Sequence, residues 1–152
     1  MMKFAHMADC HIGSWRDPKL KDVSTIAFQK AIDKCIEEAV DFILISGDLF
    51  NTSLPRIDNL KTVVTSLKQL KDKDIPAYII AGSHDYSPSG KTMLDVLEQA
   101  GLLINVVKGQ EVDGKLKLNF TVDKKTGAKI TGMLGKRYSL EKEYYKNLIL
   151  EN

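Results

Sequence analysis

The sequence predicts an α/β fold: a mostly parallel sheet flanked by helices, with an antiparallel hairpin near the carboxyl end. Three observations carry this reading. Compact apolar runs at residues 3–8, 42–46, 76–81 and 102–107 alternate with stretches whose apolar positions recur at amphipathic-helix spacing. The run at 42–46 has no polar alternation, as expected of a central parallel strand covered on both faces. After Asp113-Gly114 the pattern changes to strict alternation, the mark of a half-exposed antiparallel pair. Strand-helix-strand succession builds parallel sheets through right-handed crossovers, which brings the carboxyl ends of successive strands to one edge.

The first run stops at Asp9 and empties into a loop over residues 12–22 that carries Gly13, Pro18 and several charges. From Val23 the spacing of Ala27, Phe28, Ala31, Ile32, Cys35, Ile36 and Ala39 predicts a helix, with Asp22 or Ser24 as its cap. The second strand ends at Gly47-Asp48. Pro55 then precedes a helical stripe of Ile57, Leu60, Val63, Val64, Leu67 and Leu70, apolar surface enough to cover its own sheet with little left over. The third strand ends at Gly82-Ser83-His84-Asp85, and a turn at residues 87–90 feeds a shorter helix that stops at Gly101. A fourth strand follows at 102–107. Leu116, Leu118, Phe120 and Val122 then alternate up to a turn at 123–127 and resume in Ala128, Ile130 and Leu134, which predicts the hairpin. Residues 138–150 are expected to form a last helix.

With 152 residues the chain fits one domain able to bury a substantial core. Its 22 basic and 20 acidic side chains nearly cancel, so no bulk charge marks a nucleic-acid or membrane-surface binder, and such a partner must be argued locally. Two cysteines, Cys10 and Cys35, match neither a disulfide framework nor a Cys-x-x-Cys metal pattern. The amino terminus has no signal-peptide core, no run reaches the roughly 20 apolar residues of a membrane span, and the cytoplasm is the expected location.

Three polar stretches stand where the first three apolar runs end: Asp9-Cys10-His11, Gly47-Asp48 through Asn51, and Gly82 through Asp85. In extended backbone, side chains two apart share a face, so Asp9 and His11 are expected to reach one ion while Cys10 points away. Asp48 closes the most apolar strand, where a carboxylate out of water needs a hydrogen-bond partner or a metal. Asp85 is placed to hold the His84 imidazole in one tautomer. Each stretch alone is ordinary, a capping Asp, a turn Asp or an exposed loop histidine. Together they take two of the chain's three histidines to one sheet edge, where ligands of such folds bind.

In these residues the chain resembles the calcineurin-like metallophosphoesterases, over about its first 110 residues. The match in Ala8-Asp9-Cys10-His11-Ile12-Gly13 and Ser46-Gly47-Asp48-Leu49-Phe50 is closer to the nuclease subunit of the double-strand-break repair complex, the SbcD-like exonuclease family. The resemblance implies that Asp9 and His11 bind one divalent cation, that Asp48 bridges two, normally Mn²⁺, and that His84 is catalytic with Asp85 orienting it. The implied chemistry is metal-assisted hydrolysis of a DNA phosphodiester. It also implies a homodimer through the helices after the second and third stretches, and an SMC-type ATPase partner.

Two departures follow. Ser83 stands where the family has a metal-binding Asn, and a hydroxyl is the shorter ligand. The family's later blocks supply three more histidines, whereas this sequence has none after residue 85. The chain is therefore expected to be an N-terminal part of a metallophosphoesterase domain, spanning 1–152, with weak metal retention and little or no nuclease activity alone. A non-catalytic remnant that dimerises or binds a partner, and a small-molecule phosphodiesterase, are the alternatives. The loop after His11 sets Trp15, Arg16 and Lys19 beside the expected metals, as candidate DNA contacts.

Overall fold

The computed structural model describes residues 1–87, 90–134 and 142–150. Its centre is a four-stranded parallel sheet of β1 (Phe4–Met7), β2 (Phe42–Ser46), β3 (Ala77–Ile80) and β4 (Ile104–Asn105), in the spatial order β1-β2-β3-β4. Strand order thus equals chain order. Right-handed crossovers that always step the same way put every connecting helix on one face. Helices α1 (Val23–Glu37), α2 (Ile57–Asp72) and α3 (Met93–Gln99) accordingly pack on the face that carries Ala5, Met7, Ile43, Ile45, Ala77 and Ile79.

That face holds the main core. Ile32, Val63, Leu67 and Ile43 are fully buried there, with Phe28, Leu70 and Leu97 beside them. The opposite face carries Phe42, Leu44, Tyr78 and Ile80, covered by Val106 and by Ala128 and Ile130. Phe4 stacks on Phe42 at 5.2 Å between centroids, and Tyr78 meets Phe42 edge-on at 5.8 Å. Phe4 nonetheless stays 47% exposed, so this face is closed over β3 and open at the β1 edge.

Several boundaries differ from the sequence reading, each for a local reason. Asp22 stands at the start of α1 but makes no side-chain cap, and the Ser24 hydroxyl instead accepts from the Gly13 N–H at 3.2 Å. The turn before α3 carries an unanticipated capping box: Thr92 accepts from the Asp95 N–H, and the Asp95 carboxylate accepts from Thr92 N–H at 2.6 Å. The expected fourth strand shrinks to Ile104–Asn105.

The expected single hairpin is two. β5 (Gly109–Val112) pairs with β6 (Lys115–Leu118) across Asp113-Gly114, whose φ values of 52° and 72° suit a two-residue turn of the primed class. β7 (Thr121–Val122) pairs with β8 (Lys129–Ile130) across residues 123–127. β5 escaped notice because all four of its residues are exposed and it has no apolar alternation to read. The expected last helix is only α4 (Lys142–Lys146), and the chain then turns into β9 (Leu148–Leu150), parallel to β6. The beginning of that expected helix, residues 138–141, lies outside the described residues.

Candidate metal centre

The parallel pairing of β1 and β2 continues past both strands into the site. Asp9 N–H donates to the Gly47 carbonyl at 3.2 Å, His11 N–H to Asp48 at 2.9 Å, and Ile12 N–H to Leu49 at 3.0 Å. Asn51 N–H returns a bond to the Ile12 carbonyl at 3.2 Å. Ile12, Leu49 and Phe50 anchor this zipper in the core, each at most 1% exposed. The polar residues between these anchors are left at the sheet edge.

β3 joins through two glycines. Gly47 has φ +84°, and a Cβ there would lie 3.1 Å from the Gly82 Cα. A Cβ on Gly82 would strike Asp48 Oδ1 at 2.2 Å, so only glycine admits the carboxylate at this place. Asp48 Oδ1 accepts from the His84 N–H at 2.8 Å, and Asp48 Oδ2 lies 3.8 Å from His11 Nε2. Asp9 Oδ1 is 3.7 Å from the same nitrogen, on a side chain 71% exposed. The His11 and His84 rings meet edge to face with centroids 4.8 Å apart.

The donor set fits a divalent cation. His11, Asp48 and His84 each offer a ligand atom, all within 4.8 Å of one another and half-buried, and Asp9 adds a carboxylate at the rim. Among the described residues neither Asp9 nor Asp48 has a lysine or arginine partner, so the converging negative charge is left for another cation. Imidazole with carboxylate suits Mn²⁺, Zn²⁺ and similar ions.

Asp9 and His11 do converge, but not by the expected route. Both have left-handed backbone, φ 53° and 43°, in place of extended geometry, so a pair of tight turns brings the side chains together. Cys10 packs against the main core, and burial, followed by the charges of Asp85 and Asp9, pushes its thiol up to about 11. It stays a neutral thiol. Asp85 does not touch the His84 ring. Its carboxylate accepts from the N–H groups of Leu49, Phe50 and Gly82 at 3.2, 3.1 and 3.0 Å, and the ring's Nδ1 meets the Asn51 carbonyl at 2.9 Å. Burial raises the Asp85 pKa against the opposing effect of those three N–H bonds. Asn51 was the residue sequence reasoning missed, since a backbone carbonyl leaves no trace in residue type.

Ser83 is half-buried in the turn between Gly82 and His84. Trp15 is 52% exposed, and Arg16 and Lys19 are exposed, on a loop shaped by Asp17, whose carboxylate accepts from Lys19 N–H at 2.8 Å.

A parallel sheet with carboxylates and imidazoles gathered at the carboxyl ends of adjacent strands defines an α/β protein with a candidate metal centre at its sheet edge. Residues 2–152 match the family model of the calcineurin-like phosphoesterases, and the chain belongs to that family. Among curated proteins it is similar to the DNA double-strand break repair protein Mre11 of Archaeoglobus fulgidus, 34% identical over 120 residues, or 74% of this chain and 27% of that protein. The protein of the same name from Saccharolobus solfataricus is 35% identical over 127 residues, 75% of this chain and 33% of its own length. That from Methanococcus maripaludis is 40% identical over 91 residues, 58% and 24% respectively. The chain thus spans about a quarter to a third of the length of these relatives.

Proposed function

We propose that this chain carries part of a dimetal centre for hydrolysis of DNA phosphodiesters in double-strand-break repair. The observation that carries the reading is the convergence of His11, Asp48 and His84 within 4.8 Å at the edge of a calcineurin-like phosphoesterase sheet. The relatives' DNA-repair names support DNA as the substrate. Asp9 and His11 would hold one cation, Asp48 would reach two, and Ser83 would offer its hydroxyl to the second, with Mn²⁺ as the ion. When bound, such cations polarise a phosphate and acidify a water enough to make it a nucleophile near neutral pH. Asp48 keeps its Oδ1 on the His84 backbone and turns its other oxygen toward His11. His84, with Nδ1 on the Asn51 carbonyl, would present Nε2 to stabilise or protonate the leaving oxygen. Arg16, Trp15 and Lys19 would contact phosphates and bases on the approaching strand.

Isothermal titration with Mn²⁺ beside a nuclease assay tests this. Weak binding that Asp48→Asn removes, with little or no DNA cleavage by the chain alone, is the expected result. Absence of binding would overturn the metal assignment, robust cleavage would overturn the partial centre, and cleavage confined to a small phosphodiester would favour the small-molecule reading.

One further observation supports the homodimer. Leu54 and Ile57, before and at the start of α2, are 78% and 75% exposed, and Val96 on α3 is 56% exposed. The α2 stripe therefore does not spend Ile57 on its own sheet, contrary to the sequence expectation, and leaves it for a second copy. The SMC-type ATPase partner belongs to the same reading and rests on the resemblance. No helix among the described residues is long and apolar enough to cross a membrane.

A further inference from the structure

We infer that the cleft at the amino ends of β3 and β4 is a binding site for a small organic anion with an apolar body. It lies at the sheet edge opposite the candidate metal centre and does not depend on the phosphodiesterase reading. Its cause is local. The pairing of β3 with β4 covers only Tyr78 with Ile104 and Ile79 with Asn105, and donors that would extend it toward the amino ends are missing or already engaged. Pro76 has no N–H, while Ile75 N–H donates back to Leu70 and Leu102 N–H back to Leu97, both at 3.0 Å. Those two bonds end α2 and α3 in the same way, with Asp74 and Gly101 in the left-handed region at φ 55° and 65°. The two strands therefore part toward their amino ends, and the β7–β8 turn forms the other wall of the gap.

The cleft encloses about 630 Å³, within the range of small-molecule sites. Ile75, Ala77, Leu102, Leu103 and Val122 make its lining mostly apolar. Charge comes from two elements. Lys71 stands at the end of α2, its Nζ 3.2 Å from where a Cβ on Gly101 would lie, and Lys124 stands on the β7–β8 turn. Both are exposed, and among the described residues neither has a carboxylate partner, whereas Lys125 is held by Asp41 at 2.9 Å. Of the two carboxylates in the lining, Asp123 is engaged by Tyr78 and Thr126, so Asp74 alone opposes the two free ammonium groups. Thr121 adds a hydroxyl shielded from solvent and without a hydrogen-bond partner. The apolar lining favours a hydrocarbon body, and the excess of positive charge selects the sign of its head group. No arginine lines the cleft, so a bare phosphate finds no bidentate partner there.

Amide NMR of the full chain in EDTA near neutral pH, titrated separately with octanoate, naphthalenesulfonate, octylammonium and inorganic phosphate, tests this. At least one of the two organic anions is expected to shift the amides of residues 101–104 and 121–125 saturably, and the tighter of them tells an acyl from an aromatic body. Octylammonium and phosphate should each bind there about tenfold more weakly, the one for its sign and the other for its lack of an apolar body. Lys71→Glu with Lys124→Glu, both at exposed positions, should weaken the organic anion about 5- to 10-fold, the scale of exposed charge pairs. The amides of residues 9–12 and 47–51 should not move in any titration. Absence of a saturable shift in the cleft would overturn the inference, as would shifts confined to the exposed Phe4, Leu54 or Ile57. So would octylammonium or phosphate binding as tightly as the better organic anion, or an unchanged affinity in the double variant. If that variant does not fold, the comparison of octanoate with octylammonium on the wild type decides alone. No arm contains a divalent metal or DNA, so failure of the phosphodiesterase reading is distinguished from failure here.

Discussion

Asp9, His11 and Asp48 have backbone φ of 53°, 43° and 49°, in the left-handed region that costs an ordinary residue about 1–2 kcal/mol. Asp and His are among the residues that tolerate it best. The expense is structural: alternating backbone would send neighbouring side chains to opposite faces, whereas left-handed turns at the ends of β1 and β2 let those two loops aim at the point that the turn after β3 also reaches. The same crowding makes Gly82 indispensable. Gly82→Ala is expected to displace the Asp48 carboxylate, to weaken Mn²⁺ binding more than tenfold by titration calorimetry, and to lower stability by about 1–3 kcal/mol, the usual effect of overpacking. At this scale the sequence was legible in Asp9, His11, Asp48 and His84, because three successive strand ends that each carry glycine together with Asp or His are a visible pattern. The left-handed turns and the bonds of Asp85 were not, since both depend on backbone groups that every residue shares.

Among the elements, the β7–β8 hairpin is tied to the sheet by one buried carboxylate. Asp123, 1% exposed, accepts from the Tyr78 hydroxyl at 2.7 Å and from the Thr126 hydroxyl and N–H at 2.7 and 2.8 Å. Burial alone would raise its pKa, but those bonds outweigh it and hold the carboxyl below its ordinary range. Burial, then Asp123, pushes the Tyr78 phenol upward, so it remains a neutral donor. With a depressed folded pKa, the unfolded chain binds the proton more readily. The stabilisation is present above the ordinary carboxylate pKa and is lost as pH falls through the folded value. Melting curves from about pH 5 down to pH 2 should therefore fall more steeply for the wild type than for Asp123→Asn, while that variant should start about 1–3 kcal/mol less stable. The turn at 123–127 and the residues flanking it were readable from alternation; the partner strand of β6 was not, because a strand with no buried side chain has no period.

At the scale of the whole molecule, the exposed Leu54 and Ile57 predict self-association. Analytical ultracentrifugation should find a concentration-dependent dimer, and Leu54→Asp with Ile57→Asp should leave a monomer with an unchanged melting curve in dilute solution. A monomer at all concentrations would remove the homodimer. The α/β class and the parallel sheet were legible from the succession of strand and helix patterns. The placement of all three crossover helices on one face was not, because the sequence reading did not specify strand order.

That strand order has a kinetic consequence. In the sheet β1-β2-β3-β4 every new strand docks beside the one made just before it, so each closure spans a single helical crossover and no strand of this sheet waits for a later one to be inserted between neighbours. Loop-closure entropy is then spread over successive steps, which favours sequential zipping from the amino terminus. Asp9, His11, Asp48 and His84 are all in hand once β3 and its following turn have docked, so the four are brought together by the growing sheet before the β5–β9 region needs any structure.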